Sequence, residues 1–234
     1  AILTAGFGDA DTGGSVTDMN GSLVNVNAPT VTLSATGVTG GIDLDMTTTT
    51  VTATVTSAGA IDLSDSAGGL TIGAAGVSTA NGNISVNAIG GTLTVTGAVT
   101  AAGAGADVTL TTTGSGDIAL GAGAANVTAT DVVNLIASGA ITDGDAASDV
   151  TADTLNATAG TGIDVDTTIV TLTALVTGAG AIDVSDSAGG MNVLSAVTLG
   201  VGTITLAADS GNLALGTVNA NAGASAVSLT TTTS

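Results

Sequence analysis

The sequence predicts an all-β fold, specifically a right-handed parallel β-helix that forms one continuous β-solenoid through all 234 residues. Three observations predict it. Short segments alternate apolar and small polar residues with the period of a β-strand, glycine-containing bends separate these segments, and the same strand–bend–strand unit recurs. Such units bury an apolar face only by stacking, so we expect coils of roughly 20 to 24 residues, wound in the right-handed sense that parallel crossovers prefer.

Eight copies of the unit follow one another along the chain, each an alternating strand, a bend and a short apolar-x-apolar strand. In chain order they are VTLSATGVTGGIDL from Val31, VTATVTSAGAIDL from Val51, ISVNAIGGTLTV from Ile84, VTLTTTGSGDIAL from Val108, VVNLIASGAIT from Val132, LNATAGTGIDV from Leu155, VTLTALVTGAGAIDV from Val170 and ITLAADSGNLAL from Ile204. An antiparallel sandwich also has short, evenly spaced strands, but it does not explain why one local unit recurs.

The short units are themselves part of a longer sequence repeat. The segment Gly41 to Ile72 aligns without a gap to Gly162 to Val193, which begins 121 residues later. We therefore expect a single solenoid over residues 1–234, with a first copy over about residues 1–133 and an incomplete second copy over about residues 134–234. Neither end carries the polar capping unit that solenoids ordinarily use, so we expect a segment of a longer protein or ends that stack on another copy.

The charge balance excludes several classes of partner. The chain has 19 acidic residues, all of them aspartate, and no Lys, Arg or His. Nucleic acids and anionic membrane surfaces are bound largely through Lys and Arg, so neither is expected as a partner. No apolar run has the roughly 18 to 20 residues of a membrane helix, and the first residues lack the basic region of a signal peptide.

The residue types also argue against catalysis. Activation of a Ser or Thr nucleophile needs a neighbouring base such as His or Lys, and the chain has neither. Two carboxylates suffice for glycoside hydrolysis, and β-helices do host polysaccharide-cleaving enzymes. A sugar site also needs aromatic or basic residues, however, and none lies near the aspartates. The sequence predicts no enzyme, and the carbohydrate-active alternative is the weaker one.

The aspartates are the candidate functional residues. In GIDLD and AIDLSD the apolar residues face inward, so Asp43 and Asp62 face outward, side by side if their units are neighbouring coils. Like charges opposite one another destabilise a sheet pair, and a calcium ion would reverse that cost. The alternative is that the carboxylates are simply solvated. The candidate calcium ligands are Asp43, Asp45, Asp62, Asp65, Asp164, Asp166, Asp183 and Asp186. Two other acidic strings, GDADTGG with Asp9 and Asp11, and TDGDAASD with Asp143, Asp145 and Asp149, resemble calcium loops more faintly.

Units such as VTLTTTGSGDIAL, VNLIASGAITD and LNATAGTGIDV resemble the repeats of filamentous haemagglutinin-type adhesins and related giant bacterial surface proteins. The resemblance covers nearly the whole chain. It implies an extracellular, structural or adhesive fibre segment at a bacterial cell surface, sheath or biofilm matrix, which associates with itself end to end or side by side and contacts surface polysaccharide. The alternative is a calcium-binding matrix or surface-layer module, whose acidic ladders are bridged by cations.

Overall fold

The computed structural model describes residues 1–5, 14–122, 126–187, 189–221, 223 and 225–232. Within these residues the secondary structure consists of β-strands and turns, without a helix. The strands of the first half are β1 (Ile2–Ala5), β2 (Val16–Thr17), β3 (Val26–Asn27), β4 (Thr30–Ala35), β5 (Ile42–Thr47), β6 (Thr50–Ala58), β7 (Ile61–Asp65), β8 (Leu70–Asn81), β9 (Ile84–Ala88), β10 (Leu93–Val95), β11 (Val99–Ala101) and β12 (Val108–Thr112).

The strands of the second half are β13 (Ile118–Leu120), β14 (Val127–Ala129), β15 (Val132–Ala137), β16 (Ala140–Thr142), β17 (Val150–Ala159), β18 (Gly162–Val176), β19 (Ile182–Asp186), β20 (Met191–Thr198), β21 (Ile204–Ala208), β22 (Leu213–Ala220) and β23 (Val227–Thr231). Each pairs in parallel with a strand one coil away, and the chain forms a parallel β-solenoid of about ten turns. The predicted fold class is confirmed. No helix among the described residues is long and apolar enough to span a membrane.

Two long ladders of paired strands organise the coils. The first ladder runs in order through β2, β5, β7, β9, β12, β15, β17, β18, β20 and β22. The second ladder runs through β1, β4, β6, β8, β10, β13, β16, β18, β19, β21 and β23. Each coil contributes to one ladder, turns a corner and then contributes to the other, so the two ladders form different faces of the rod.

Buried apolar side chains form a column along the inward face of each ladder. In the first ladder its members are buried and are, in order, Ile42, Ile61, Ile84, Val108, Val133, Leu155, Leu172 and Val193. Burial of a side chain of this size contributes about 1.5 to 3 kcal/mol. Because the side chains alternate, the intervening Thr, Ser, Asn and Asp residues form outward ladders.

The coils vary more in length than the 20 to 24 residues expected. Leu155 pairs with Leu172, only 17 positions on, whereas Val108 pairs with Val133, 25 positions on. The difference arises at the corners. β17 leads into β18 through two residues, whereas five residues, Thr113–Asp117, separate β12 from β13 in the longer coil.

Candidate functional site: the paired aspartates

Asp43 and Asp62 are direct register partners on β5 and β7 of the first ladder. Both side chains are exposed, so the predicted outward pair is confirmed. Partial burial, with the charge of Asp62 as the next cause, raises the pKa of Asp43 above its ordinary value. No cationic side chain exists in the chain to neutralise the pair, and the two carboxylates therefore repel one another.

The second copy repeats the pair. Asp164 on β18 is the register partner of Asp183 on β19. Burial raises the pKa of Asp164, and the charges of Asp183 and Asp143 act in the same direction. The same electrostatic cost therefore occurs twice in the rod.

A shallow groove accompanies each pair, and the two grooves are built from equivalent residues. Gly41, Ile42, Asp43, Ala60 and Asp62 line a groove of about 440 Å³. In the second copy, a groove of about 240 Å³ is lined by the equivalent residues Gly162, Ile163, Asp164, Ala181 and Asp183. Both grooves are open and lined by small side chains, without a group that would hold a substrate in one orientation.

The two copies nevertheless lie on different faces. Ile42 belongs to the inward column of the first ladder. Along this column, Leu155 lies five coils after Ile42 and Leu172 lies six coils after it. Its sequence equivalent Ile163 falls between these two and pairs with Ile141 in the second ladder. The 121-residue repeat thus spans about five and a half coils, and the Asp164–Asp183 pair is displaced from the Asp43–Asp62 face.

Asp65 and Asp186 do not belong to these outward ladders. Both side chains are fully buried, so they point inward, away from the outer pairs with which they were grouped as candidate calcium ligands. The Asp65 Oδ1 atom accepts a hydrogen bond from the Thr48 amide (2.8 Å), at the corner of the preceding coil, and its Oδ2 atom accepts one from the Ala67 amide (3.0 Å). Burial raises the pKa of Asp65, and these two hydrogen bonds oppose the rise.

Asp186 repeats this arrangement in the second copy. Its Oδ1 atom accepts hydrogen bonds from the Ile169 amide (2.8 Å) and from the Thr167 hydroxyl (3.3 Å). The second aspartate of each IDLSD or IDVSD string is therefore an internal cap for a corner. The signal was present in the sequence, because strict alternation from Ile61 puts Leu63 and Asp65 on the same, inward side.

Asp45 and Asp166 occupy equivalent positions with different neighbours. The Asp45 amide donates to the Asn25 side-chain oxygen (2.8 Å). Asp166 instead lies against the carboxylate of Asp143, and its pKa is raised to about 6, first by burial and then by Asp143. Sequence reasoning gave no indication of this contact, because it depends on how the loop between β16 and β17 folds over the next coil.

The structure does not assemble these carboxylates as a metal centre. In the described part of the chain, no group of three or more acidic side chains is arranged to hold a metal ion. Asp9 and Asp11 lie outside the described residues. Calcium binding at the eight candidate ligands therefore stays a prediction without a coordinating geometry to support it.

Comparisons with protein-family models, with curated proteins and with solved structures return no match. The class of protein is consequently defined by the fold itself, as a parallel β-solenoid compatible with β-helix repeat proteins. Its outward surface carries repeated ladders of small polar and acidic side chains.

Proposed function

We propose that the chain is a structural and adhesive segment of an extracellular fibre at a bacterial cell surface, sheath or biofilm matrix, and that it carries out no reaction. One observation carries the proposal, namely about ten stacked coils around continuous apolar columns, with small polar ladders outside. Coils spaced about 4.8 Å apart give a rod about 45 Å long. Length and a repetitive surface are what a fibre requires.

The absence of catalytic residue types supports a role without chemistry. Aspartate is the only ionisable side chain in the sequence, and the grooves beside the outer pairs lack aromatic or basic groups to orient a sugar. Thr, Ser and Asn ladders offer hydroxyl and amide groups at the spacing of the coils, which suits neutral polysaccharide and lateral contact between rods.

Immunogold labelling of intact source cells with antibodies against this chain tests the proposed location. We expect label on fibres or matrix at the surface of cells that have not been permeabilised. Label that appears only after permeabilisation would overturn the proposal. An assay for new reducing ends in surface polysaccharide tests the absence of catalysis, and sustained release of reducing ends would contradict it.

Sedimentation of the purified chain over a range of concentrations tests self-association. We expect mass to increase with concentration and with added salt, since salt screens the repulsion between acidic rods. A monomer at all concentrations and ionic strengths would remove self-association from the proposal.

A further inference from the structure

The loop between β16 and β17 brings three carboxyl groups of the second copy together. Asp143 begins the loop, and its Oδ1 atom accepts a hydrogen bond from the Asp145 amide (2.8 Å). At the end of the loop, the Asp149 amide donates to the Asp166 carbonyl oxygen (2.8 Å). The carboxyl groups of Asp149 and Asp166 both lie beside the Asp143 carboxylate.

The first copy has a loop at the corresponding place, between β2 and β3, which is one residue longer and has Asn25 where the second copy has Asp149. Thr17, which pairs with Asp43, directly precedes Asp18, as Thr142 directly precedes Asp143. The Asn20 backbone amide donates a hydrogen bond to the Asp18 Oδ1 atom (2.6 Å). The Asn25 amide donates to the Asp45 carbonyl oxygen (2.8 Å), which makes Asn25 the equivalent of Asp149. The Asn25 side-chain amide then donates to the Asp18 Oδ1 atom (3.0 Å).

An amide and a protonated carboxyl group can both donate this hydrogen bond, but a carboxylate can only accept. Asp149 occupies the donor position while being only 1% exposed, and its Oδ2 atom has no hydrogen-bond partner. The groups that face it are Asp143 and Asp145 from its own loop and Asp166 from β18. None is cationic, and the chain has no Lys, Arg or His, so neutralisation must come from outside.

We propose that Asp149 is a proton-binding site, which holds a proton at neutral pH and donates it in a hydrogen bond to the Asp143 carboxylate, as Asn25 does to Asp18. Loss of this proton leaves mutually repelling carboxylates against one another and weakens the second copy, while the first copy does not respond. The inference does not depend on the proposed function.

The electrostatics of the cluster agree with this assignment. The pKa of Asp149 is raised to about 8, first by burial and then by the contact with Asp143 and the charges of Asp143, Asp145 and Asp166. For Asp143, burial acts to raise the pKa, but hydrogen bonds from Asp149, Asp145 and Asp166 outweigh it and the pKa is lowered. One group of the pair thus keeps the proton and the other keeps the charge.

The direction of the pH effect follows from linkage. A carboxyl group whose pKa is raised on folding binds its proton more tightly in the folded state, so acid favours folding. The stabilisation from Asp149 is fully present below 3.8, the ordinary pKa of an aspartate in the unfolded chain, and is lost as pH rises through the folded-state pKa of about 8. Between these values the unfolding midpoint falls as pH rises.

The test compares the thermal unfolding midpoints of the wild type and of Asp149→Asn at pH 5 and pH 8.5. Asn carries the donor permanently, so we expect the variant to unfold at a higher temperature than the wild type at pH 8.5 and to show a smaller difference between the two pH values. The matched control is Asp153→Asn, which removes one exposed charge from β17, the strand that directly follows Asp149. We expect it to keep the wild-type pH dependence.

The reverse substitution, Asn25→Asp, transfers the site to the first copy and keeps the test decisive if Asp149→Asn misfolds. We expect it to add a second pH-dependent loss of stability above neutral pH.

Carboxyl 13C NMR of the wild type should show one aspartate still protonated at pH 7. An unchanged pH dependence in Asp149→Asn, or no protonated aspartate at pH 7, would overturn the proposal. Millimolar calcium that raises the wild-type midpoint at pH 8.5, but not that of Asp149→Asn, would also overturn it, because a cation would then occupy the site.

Discussion

The two aspartates of the string IDLSD, which are three positions apart, have opposite environments. Asp62 faces solvent beside Asp43, whereas Asp65 is buried and accepts hydrogen bonds from the backbone of a corner. An odd separation along a strand puts two side chains on opposite faces. The recurrence of both aspartates in IDVSD therefore records two separate requirements, one of the surface and one of the fold.

We expect Asp65→Ala to lower the free energy of unfolding by about 2 to 3 kcal/mol, because it leaves the Thr48 amide buried without an acceptor. Asp65→Asn keeps an acceptor oxygen and should lose less. Urea denaturation measures both, with the exposed substitution Asp62→Ala as the control. A loss no larger for Asp65→Ala than for Asp62→Ala would show that the buried hydrogen bonds do not stabilise the corner.

Removal of one charge from the outer pair should be stabilising. We expect Asp43→Asn and Asp62→Asn each to raise the free energy of unfolding by about 0.2 to 1 kcal/mol at low salt, since the repulsion between register partners is lost. In the double variant the second substitution should add little, because the repulsion is already absent. Strict additivity in this cycle would mean that the two carboxylates do not interact.

At the scale of the element, the corners depend on glycine because neighbouring coils approach closely there. A Cβ atom at Gly59 would overlap the carbonyl oxygen of Gly40 in the preceding coil, and a Cβ at Gly82 would overlap that of Gly59. These glycines form a column along the rod. A side chain anywhere in the column forces two coils apart and disturbs the ladders on both sides of the corner.

We expect Gly59→Ala to destabilise the protein by about 1 to 3 kcal/mol, the usual cost of inserting a methyl group where no space exists. Gly223→Ala is the matched control, since open space surrounds that position. Thermal unfolding of both variants tests the expectation. Equal midpoints would show that the coils can separate at this corner without cost.

At the scale of the whole molecule, a charge of −19 without a cationic side chain makes the folded rod self-repelling. Most proteins lose some attraction when salt screens their ion pairs, but this chain has no side-chain ion pairs to lose. We expect the unfolding midpoint to rise steadily as sodium chloride is increased to about 0.3 M, where the Debye length is well below 10 Å. A midpoint that falls with salt would contradict this view.

The relation between repeat and coil also belongs to the whole molecule. Because 121 residues correspond to about five and a half coils, the duplicated grooves point in different directions. A rod built in this way presents its acidic pairs on two faces.

The sequence by itself determined the fold class, the inward and outward sets and the outer pairs Asp43–Asp62 and Asp164–Asp183. Alternation with a period of two and the recurrence of one unit are local properties, and each coil only has to stack on its neighbour. The inward position of Asp65 and Asp186 was equally readable from parity, although the sequence interpretation grouped them with the outer candidates.

Only the tertiary structure decided on which face of the rod each segment lies. Register partners lie 17 to 30 residues apart along the chain, because coil length depends on corner loops whose paths are not periodic. A repeat that aligns in sequence without a gap is therefore displaced by half a coil in space. The same reason hid the cluster of Asp143, Asp149 and Asp166. Its members come from a loop and from the next coil, and their contact exists only after both have been positioned by the stacked strands.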